Sequence, residues 1–408
     1  MKELALDCQF GKCLIYKDNE MDTKLKILFQ CPNIRPLRKM VSRWRVHRLN
    51  GRILPSEVII EAEGNNEIKH KLVKEYIDKD NERFRKAHPM MESIMDTHYR
   101  NFPNVTDIYE DMVFCLLAYG FQPDEYLFFE LKDKGVEERE SYVSDIERII
   151  YFMQMNDICE GETFLNKSKT YQLYKKYYKR DAIAINKRTQ FSEFESFVKK
   201  HPIFVKKRVD LYKGDGVELV NSRNLNISLN QYFEQLKSTD LFQLEEKIQQ
   251  SDIMASLNAS SVNTIRCNAF VTRHGVKVPF AFLKVGRAGS FVDNGGKGGI
   301  LVGIDEKTGV LNTDGRDEYG NRYVTHPDSN IRFQDFRLPD WEDALQLCNE
   351  ITPKVTGVQA IGWDLAHTAQ GWVIVEGNLF SQFVGPQITR EQGLKKEWLA
   401  VMEDMELL

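Results

Sequence analysis

Two carboxylates and an amide, Asp364, Glu376 and Asn378, fall within one fifteen-residue stretch near the end of the sequence. They sit in two apolar runs, Gly357–His367 and Gly371–Asn378, that read as a β-hairpin turning near residue 370. A turn centred there sets Asp364 opposite Glu376, and directly opposed residues have Cβ atoms roughly 5 Å apart. Side chains alternate faces along a strand, which groups Trp372, Ile374, Glu376 and Asn378 on one face. Val373 and Val375 make the other face apolar too, so water would screen the charges poorly. At an effective dielectric of about 20, two carboxylates that close repel by about 3 kcal/mol. A cation between them removes that cost, and carboxylate and amide oxygens are hard ligands suited to Mg²⁺ or Mn²⁺. The alternative is an edge hairpin, its register one residue off and its acids in water.

Two further stretches carry anion-binding chemistry. The loop from Gly286 to Gly299 (GRAGSFVDNGGKGG) follows a strand-like run, and its glycines let backbone N–H groups approach an anion while Arg287 and Lys297 add charge. It is not a GxGxxG fingerprint, and the chain contains no GxxxxGK[ST], so those nucleotide folds are disfavoured. A flexible glycine loop with no ligand is the competing reading. The other stretch is His201-Pro-Ile-Phe-Val-Lys-Lys207, followed by Lys213-Gly-Asp-Gly-Val217. A strand ending in lysine before a glycine turn suits phosphate, and an ordinary surface strand and turn has the same look.

The elements that must position these groups change in character along the chain. Up to about residue 155 the text is poor in Gly and Pro, and Glu67–His88 and Ser141–Met155 have the apolar spacing of helices. In the second, Val143, Ile146, Ile149, Ile150 and Met153 form one stripe. Lys167–Arg180 reads as a basic, Tyr-rich helix, followed by Ala182–Ile185 and a strand at Ile203–Lys207. Beyond about residue 260 the pattern is β: Asn263–Arg273 and Val276–Arg287 form a hairpin turning at His274-Gly275, and Gly299–Ile304 is a further strand. Trp341–Ile351 reads as a helix with Asp340 placed to cap it. Helices and strands segregate instead of alternating strictly, which predicts an α+β fold. The expected regions are 1–155 (helical), 156–250 and 251–408.

Composition sets outer limits. The 408 residues carry a net charge of −4, which argues against a dedicated nucleic-acid binder. Basic clusters such as Arg35–Arg48 (with Arg38, Lys39, Arg43 and Arg45) and Lys167–Arg188 read first as solvated helix faces. Seven cysteines (Cys8, Cys13, Cys31, Cys115, Cys159, Cys267 and Cys348) show no CxxC spacing, so structural zinc is not expected and a reducing cytoplasm is. The N-terminal residues lack the apolar core of a signal peptide, and the best apolar run, Met112–Phe121, is too short to span a bilayer.

Taken in order, these stretches resemble an ATP-grasp enzyme from about Asn166 to Asn378. In that family one lysine opens the nucleotide-binding unit, a second ends a strand, and a glycine loop follows; Lys167, Lys206, and Gly214 and Gly216 in Gly214-Asp-Gly-Val217 match those places. A Glu-x-x-Ile hinge that holds adenine is similar to Leu244-Glu-Glu-Lys-Ile248, which nominates Glu245 and Ile248. A carboxylate followed about a dozen residues later by Glu-x-Asn matches Asp364 and Glu376-Gly-Asn378 as Mg²⁺ ligands. Ser261-Val-Asn-Thr-Ile-Arg266, Gly286–Gly299, His326-Pro-Asp-Ser329 and the helical leader at Tyr119–Leu131 resemble the sugar-transfer-associated group more narrowly. One departure is Gly362, where some relatives carry an arginine two residues before the metal aspartate; Arg266 and Arg287 are the candidates to replace it. Asp252 is the candidate for the ribose contact.

The resemblance implies ATP-dependent ligation of a carboxylate to an amine through an acyl phosphate. Lys167 and Lys206 would hold the phosphates, Mg²⁺ on Asp364, Glu376 and Asn378 would bridge them, Arg287 and Arg266 would stabilise the transferring group, and His326 would contact substrate or act as a base. The association implies an amino acid or sugar acid of a surface polysaccharide as substrate, and enzymes of polysaccharide assembly as partners. Two rivals remain: a kinase acting on a hydroxyl through the same site, and a nucleotide-binding scaffold.

Overall fold

The computed structural model describes residues 54–79, 82–157, 160–209, 216–239, 242–291, 293 and 298–408. The basic cluster at 35–48, Cys8, Cys13, Cys31 and Cys159, and the loop residues Lys213, Gly214, Asp215 and Lys297 lie outside them. Two compact units are present: the described part of Met1–Cys159 together with Gln382–Leu408, and Glu160–Ser381. Among the described residues the architecture is α+β, with a helical N-terminal region and antiparallel sheets in the second unit.

In the helical unit the stretch read as one helix over Glu67–His88 is two, Asn66–Asp78 and Glu82–Ile94. Asn65 caps the first, its side chain accepting from the N–H of Glu67 and Ile68. The stripe beginning at Val143 belongs to the helix Asp145–Met155, capped by Ser144, and Val143, Ile146 and Ile149 are buried. Residues 382–408 group with these helices in the first unit, whereas the expected region was 251–408. Gln387 explains this, since its side chain is bonded to both the N–H (2.8 Å) and the C=O (3.0 Å) of Val143. Trp398 is fully buried and stacks on Tyr151 with ring centroids 6.0 Å apart.

The described residues of the second unit form the strands β1 Ala182–Ile185, β2 Ile203–Arg208, β3 Val217–Asn221, β4 Phe242–Glu246, β5 Thr264–Thr272, β6 Gly275–Val285, β7 Ile300–Gly303, β8 Gly315–Asp317, β9 Arg322–Tyr323, β10 Ala360–Thr368 and β11 Gly371–Asn378. They form a four-stranded sheet in the order β1-β4-β2-β3 and a seven-stranded sheet in the order β11-β10-β5-β6-β7-β8-β9. In the smaller sheet Phe204 and Leu244 pack with Phe194, Phe197, Phe233 and Leu236 from the helices Phe191–Lys200 and Leu229–Thr239. In the larger sheet Ile265, Cys267, Leu283, Trp363 and Leu365 alternate onto one buried face, which also carries the helix Trp341–Ile351 through Trp341, Ala344 and Cys348. Asp340 precedes that helix without capping it. Its backbone is left-handed (φ 43°), and its carboxylate meets His367 Nε2 at 3.1 Å instead.

Candidate active site

The hairpin β10–β11 delivers the acidic pair. Thr368 faces Gly371, and the ladder runs regularly to Leu365 opposite Ile374. A regular continuation would set Val375 against Asp364 and turn Glu376 toward the core beside Trp363. The register shifts there by one residue, so Asp364 faces Glu376 and Gly362 faces Asn378. Val375 is the extra residue of a β-bulge. The bulge corrects the expected faces: Trp372 and Ile374 lie on the core side, whereas Glu376 and Asn378 share the side of Asp364.

Asp364 is buried, and the next strand supplies its counter-charge. Arg266 on β5 lies directly opposite it and engages both carboxylate oxygens, through Nε to Oδ1 and through Nη2 to Oδ2 at 2.8 Å. Lys284 on β6 adds an ion pair to Oδ2 at 3.1 Å. Burial alone would raise this carboxyl, but Arg266 and Lys284 outweigh it and hold it well below the usual carboxylate range. Gly362 has its own reason: a Cβ there would lie 2.1 Å from Ser381 Oγ and 3.2 Å from Arg266 Cδ. The Arg266 side chain therefore runs across the position where a side chain on residue 362 would stand, and its Nη1 donates to Ser381 Oγ at 3.1 Å. Asp293, from the glycine-rich loop, accepts from the Thr264 N–H at 3.0 Å on this sheet, and burial raises its carboxyl against the opposing pull of Lys284.

Glu376 and Asn378 open onto a cleft lined by Phe164, Lys167, Thr170, Tyr178, Lys207 and Glu245, with Val375 and Gly377 beside them. Lys167 begins the helix Lys167–Tyr178, which Asn166 caps by accepting from the N–H of Ser168 and Lys169. The second lysine of the cleft is Lys207, not Lys206. On β2, Lys206 pairs with Leu244 and shares the helix-packed face of Phe204, where its ammonium meets Glu218 at 2.8 Å and the Phe242 ring. Lys207 alternates to the opposite face and reaches Glu245 at 2.9 Å. The signal was present in the sequence, since Phe204 and Lys206 share strand parity.

Glu245 is 3% exposed and fully committed: Oε2 accepts from Arg180 (2.7 and 3.0 Å) and Lys207, and Oε1 accepts from Gln243 at 2.8 Å. Burial pushes its carboxyl up, and the Arg180 and Lys207 charges bring it down to about 2. Ile248 and Asp252 are not among the residues lining the cleft. Gly216 closes the β2–β3 connection with φ 68°, a backbone setting that favours glycine.

The remaining expected residues stand apart from the cleft. Arg287 donates through Nε to Asp328 Oδ2 at 3.0 Å, and the same oxygen accepts from the Ala288 N–H at 2.8 Å. The protein's own carboxylate thus fills the start of the glycine loop, where an external anion was expected. His326 is fully buried; Nε2 meets the carbonyl of Gly286 at 2.9 Å and Nδ1 accepts from the N–H of Asp328 and Ser329. Both ring nitrogens hold backbone, which replaces the expected base with a structural post. Sequence reasoning missed Lys284, Lys207, Arg180 and Ser381.

Residues 147–403, well over half of the chain, match the family described as sugar-transfer associated ATP-grasp. Among solved structures, the ATP-grasp ligase PsnB with a precursor peptide variant, Mg and ADP is 11% identical, with 66% of this chain and 68% of that one covered and a TM-score of 0.38. The D-alanyl-alanine synthetase A of Vibrio cholerae is 9% identical, with 61% and 67% covered and a TM-score of 0.37. The N5-carboxyaminoimidazole synthase of Aspergillus clavatus is 11% identical, with 59% and 53% covered and a TM-score of 0.36. No curated protein sequence matches the chain. The chain belongs to the sugar-transfer associated ATP-grasp family.

Proposed function

We propose that the cleft between the two sheets binds ATP and that the enzyme joins a carboxylate to an amine through an acyl phosphate. The observation that carries this reading is the meeting of two lysines, Lys167 and Lys207, with Glu376 and Asn378 around one cleft. The lysines hold phosphate oxygens as point charges. Lys207 is braced and directed by Glu245. Glu376 offers carboxylate oxygen, and Asn378 turns Nδ2 toward the Gly362 carbonyl (3.3 Å), leaving Oδ1 for a cation.

This donor set fits Mg²⁺, which takes one or two protein carboxylates and completes its shell with water and phosphate oxygens. Asp364 is the third candidate ligand, and it joins only if Lys284 or Arg266 yields an oxygen. A bound Mg²⁺ would neutralise charge on the β- and γ-phosphate oxygens. Arg266, lying over Gly362 on the same face, is the guanidinium placed for the transferring phosphoryl group and the tetrahedral centre that follows. Arg287 stands at the mouth of the glycine loop and reaches substrate there once its pairing with Asp328 is exchanged.

In the reaction, a carboxylate oxygen attacks the γ-phosphorus and ADP leaves. The amine then attacks the acyl carbon and phosphate leaves. The family's association with sugar transfer points to an amino acid or sugar acid of a surface polysaccharide as the carboxylate, and to work beside polysaccharide assembly enzymes. Among the described residues no helix is long and apolar enough to cross a membrane. The test is incubation with MgATP, candidate carboxylates and hydroxylamine, with ADP and hydroxamate measured together. Carboxylate-dependent hydroxamate in step with ADP supports the ligase. ADP with a phosphorylated hydroxyl product and no hydroxamate would replace it with a kinase.

A further inference from the structure

Arg180 lies between the two sheets and satisfies every donor it has. It follows the helix Lys167–Tyr178, whose C-cap Lys179 is left-handed (φ 46°), and it precedes β1. Its side chain is 4% exposed, and its guanidinium sits 4.5 Å from the centroid of the Tyr178 ring. Nε and one Nη2 proton go to Glu245 Oε2, at 3.0 and 2.7 Å. Nη1 goes to the carbonyls of Ile374 (2.5 Å) and Tyr178 (3.4 Å), and the second Nη2 proton goes to the carbonyl of Val375 at 3.4 Å. Arginine has five N–H donors, and these five bonds engage all of them on four acceptor atoms, Glu245 Oε2 accepting two.

Two of those acceptors are special. Ile374 and Val375 are the residues at which β11 departs from its regular ladder, and β11 is the edge strand of its sheet. A bulge leaves backbone groups without ladder partners and bends the strand, so it persists where something else satisfies it. Arg180 does so here, donating to the carbonyls of Ile374 and Val375. The same guanidinium grips Glu245, which in turn holds Lys207. An unbroken chain of charge-assisted bonds therefore runs from the lysine on one wall of the cleft to the bulge that presents Glu376 on the other.

Resting on the proposed function, we infer that Arg180 is a positioning residue: it fixes the Val375 bulge, and thereby the cation-binding geometry of Glu376 and Asn378, and it ties that geometry to Lys207. It touches neither nucleotide nor cation. Lysine at this position keeps the charge beside Glu245 but cannot reach the carboxylate and both bulge carbonyls at once.

The test is Mn²⁺ binding followed by electron paramagnetic resonance in the presence of saturating ATP, on the full chain, for wild type and Arg180→Lys. Removing such an outer support typically costs a metal site about ten- to a hundredfold in affinity. The expected result is a loss of that size in Arg180→Lys, with ATP affinity in the absence of metal changed by less than about threefold. A purely structural role would lower the melting temperature and leave Mn²⁺ affinity unmoved, and that result overturns the inference. If Arg180→Lys does not fold, Arg180→Gln, which leaves Glu245 paired with Lys207, is read the same way. Wild type that binds no Mn²⁺ with ATP would overturn the proposed function itself, a result distinct from equal binding in the two proteins.

Discussion

Glu376 faces Asp364 because β11 carries one residue more than the strand it pairs with, Val375, between Ile374 and Glu376. The two carboxylates are not equivalent. Asp364 is buried and held by Arg266 and Lys284, whereas Glu376 lines the cleft. Their substitutions should therefore part company. Glu376→Gln should lower turnover by at least about a hundredfold with little change in melting temperature. Asp364→Ala strands two half-buried cations and should also cost about 3 kcal/mol of stability, seen in urea melts. Full activity in Glu376→Gln would remove that residue from the cation site.

The two adjacent lysines make a built-in control. Lys207→Ala should weaken ATP binding about ten- to a hundredfold, the cost of a hydrogen bond to a charged group, of order 1.5–3 kcal/mol. Lys206→Ala should stay within about twofold, because Lys206 meets Glu218 on the other face of β2. Calorimetric titration with ATP separates them, and the reverse order would mean that β2 is turned over.

His326 gives a stability prediction in place of a catalytic one. Its removal leaves the Gly286 carbonyl and the Asp328 and Ser329 N–H groups without their partner and opens a cavity. His326→Ala should lose about 2–4 kcal/mol in denaturant melts. The pH profile of the remaining activity should keep its shape. Loss of one limb of that profile, with stability intact, would restore the role of base.

Glu245 ties the smaller sheet to acid stability. Its carboxyl is at about 2 in the fold, against an ordinary value of 4.5. A lowered folded value contributes stability that is complete above the unfolded value and lost as pH falls from about 4.5 towards 2, on the order of 3 kcal/mol. Urea melts across that window should show a steeper loss in wild type than in Glu245→Gln. The variant starts lower at neutral pH, because Arg180 and Lys207 have lost their shared partner. Equal slopes would contradict the assignment.

Much of this was legible in the sequence, and the exceptions have a common cause. The strands β5, β6, β10 and β11 follow from period-two burial, and the Asp364–Glu376 pairing was expected. Yet it was expected from a regular hairpin centred near residue 370, whereas the ladder starts from Thr368 and Gly371 and reaches the same pairing through a bulge. The spacing could not show that Glu376 leaves the face of Ile374. Lys207 was within reach of the strand pattern, since Lys206 shares the parity of Phe204. Arg266 was nominated because the aspartate lacked an arginine two residues before it, and its pairing with Asp364 depends on β5 lying beside β10, a neighbour distant in sequence. Lys284 and Arg180 had no such clue. Each reaches the site from an element with no local motif, so only the assembled sheets reveal it. Asp340 and His326 looked like a cap and a base because their neighbours in sequence suited those roles; their partners in space, His367 and the Gly286 backbone, assign them others.

The acyl phosphate is the centre of the account, and oxygen-18 tests it most directly. With the carboxylate found by hydroxamate trapping labelled in both oxygens, single turnovers with MgATP and the amine should transfer one labelled oxygen to the phosphate released. Phosphate that emerges unlabelled while product forms would mean that the carboxylate never attacked the γ-phosphorus, and the ligase mechanism would fall.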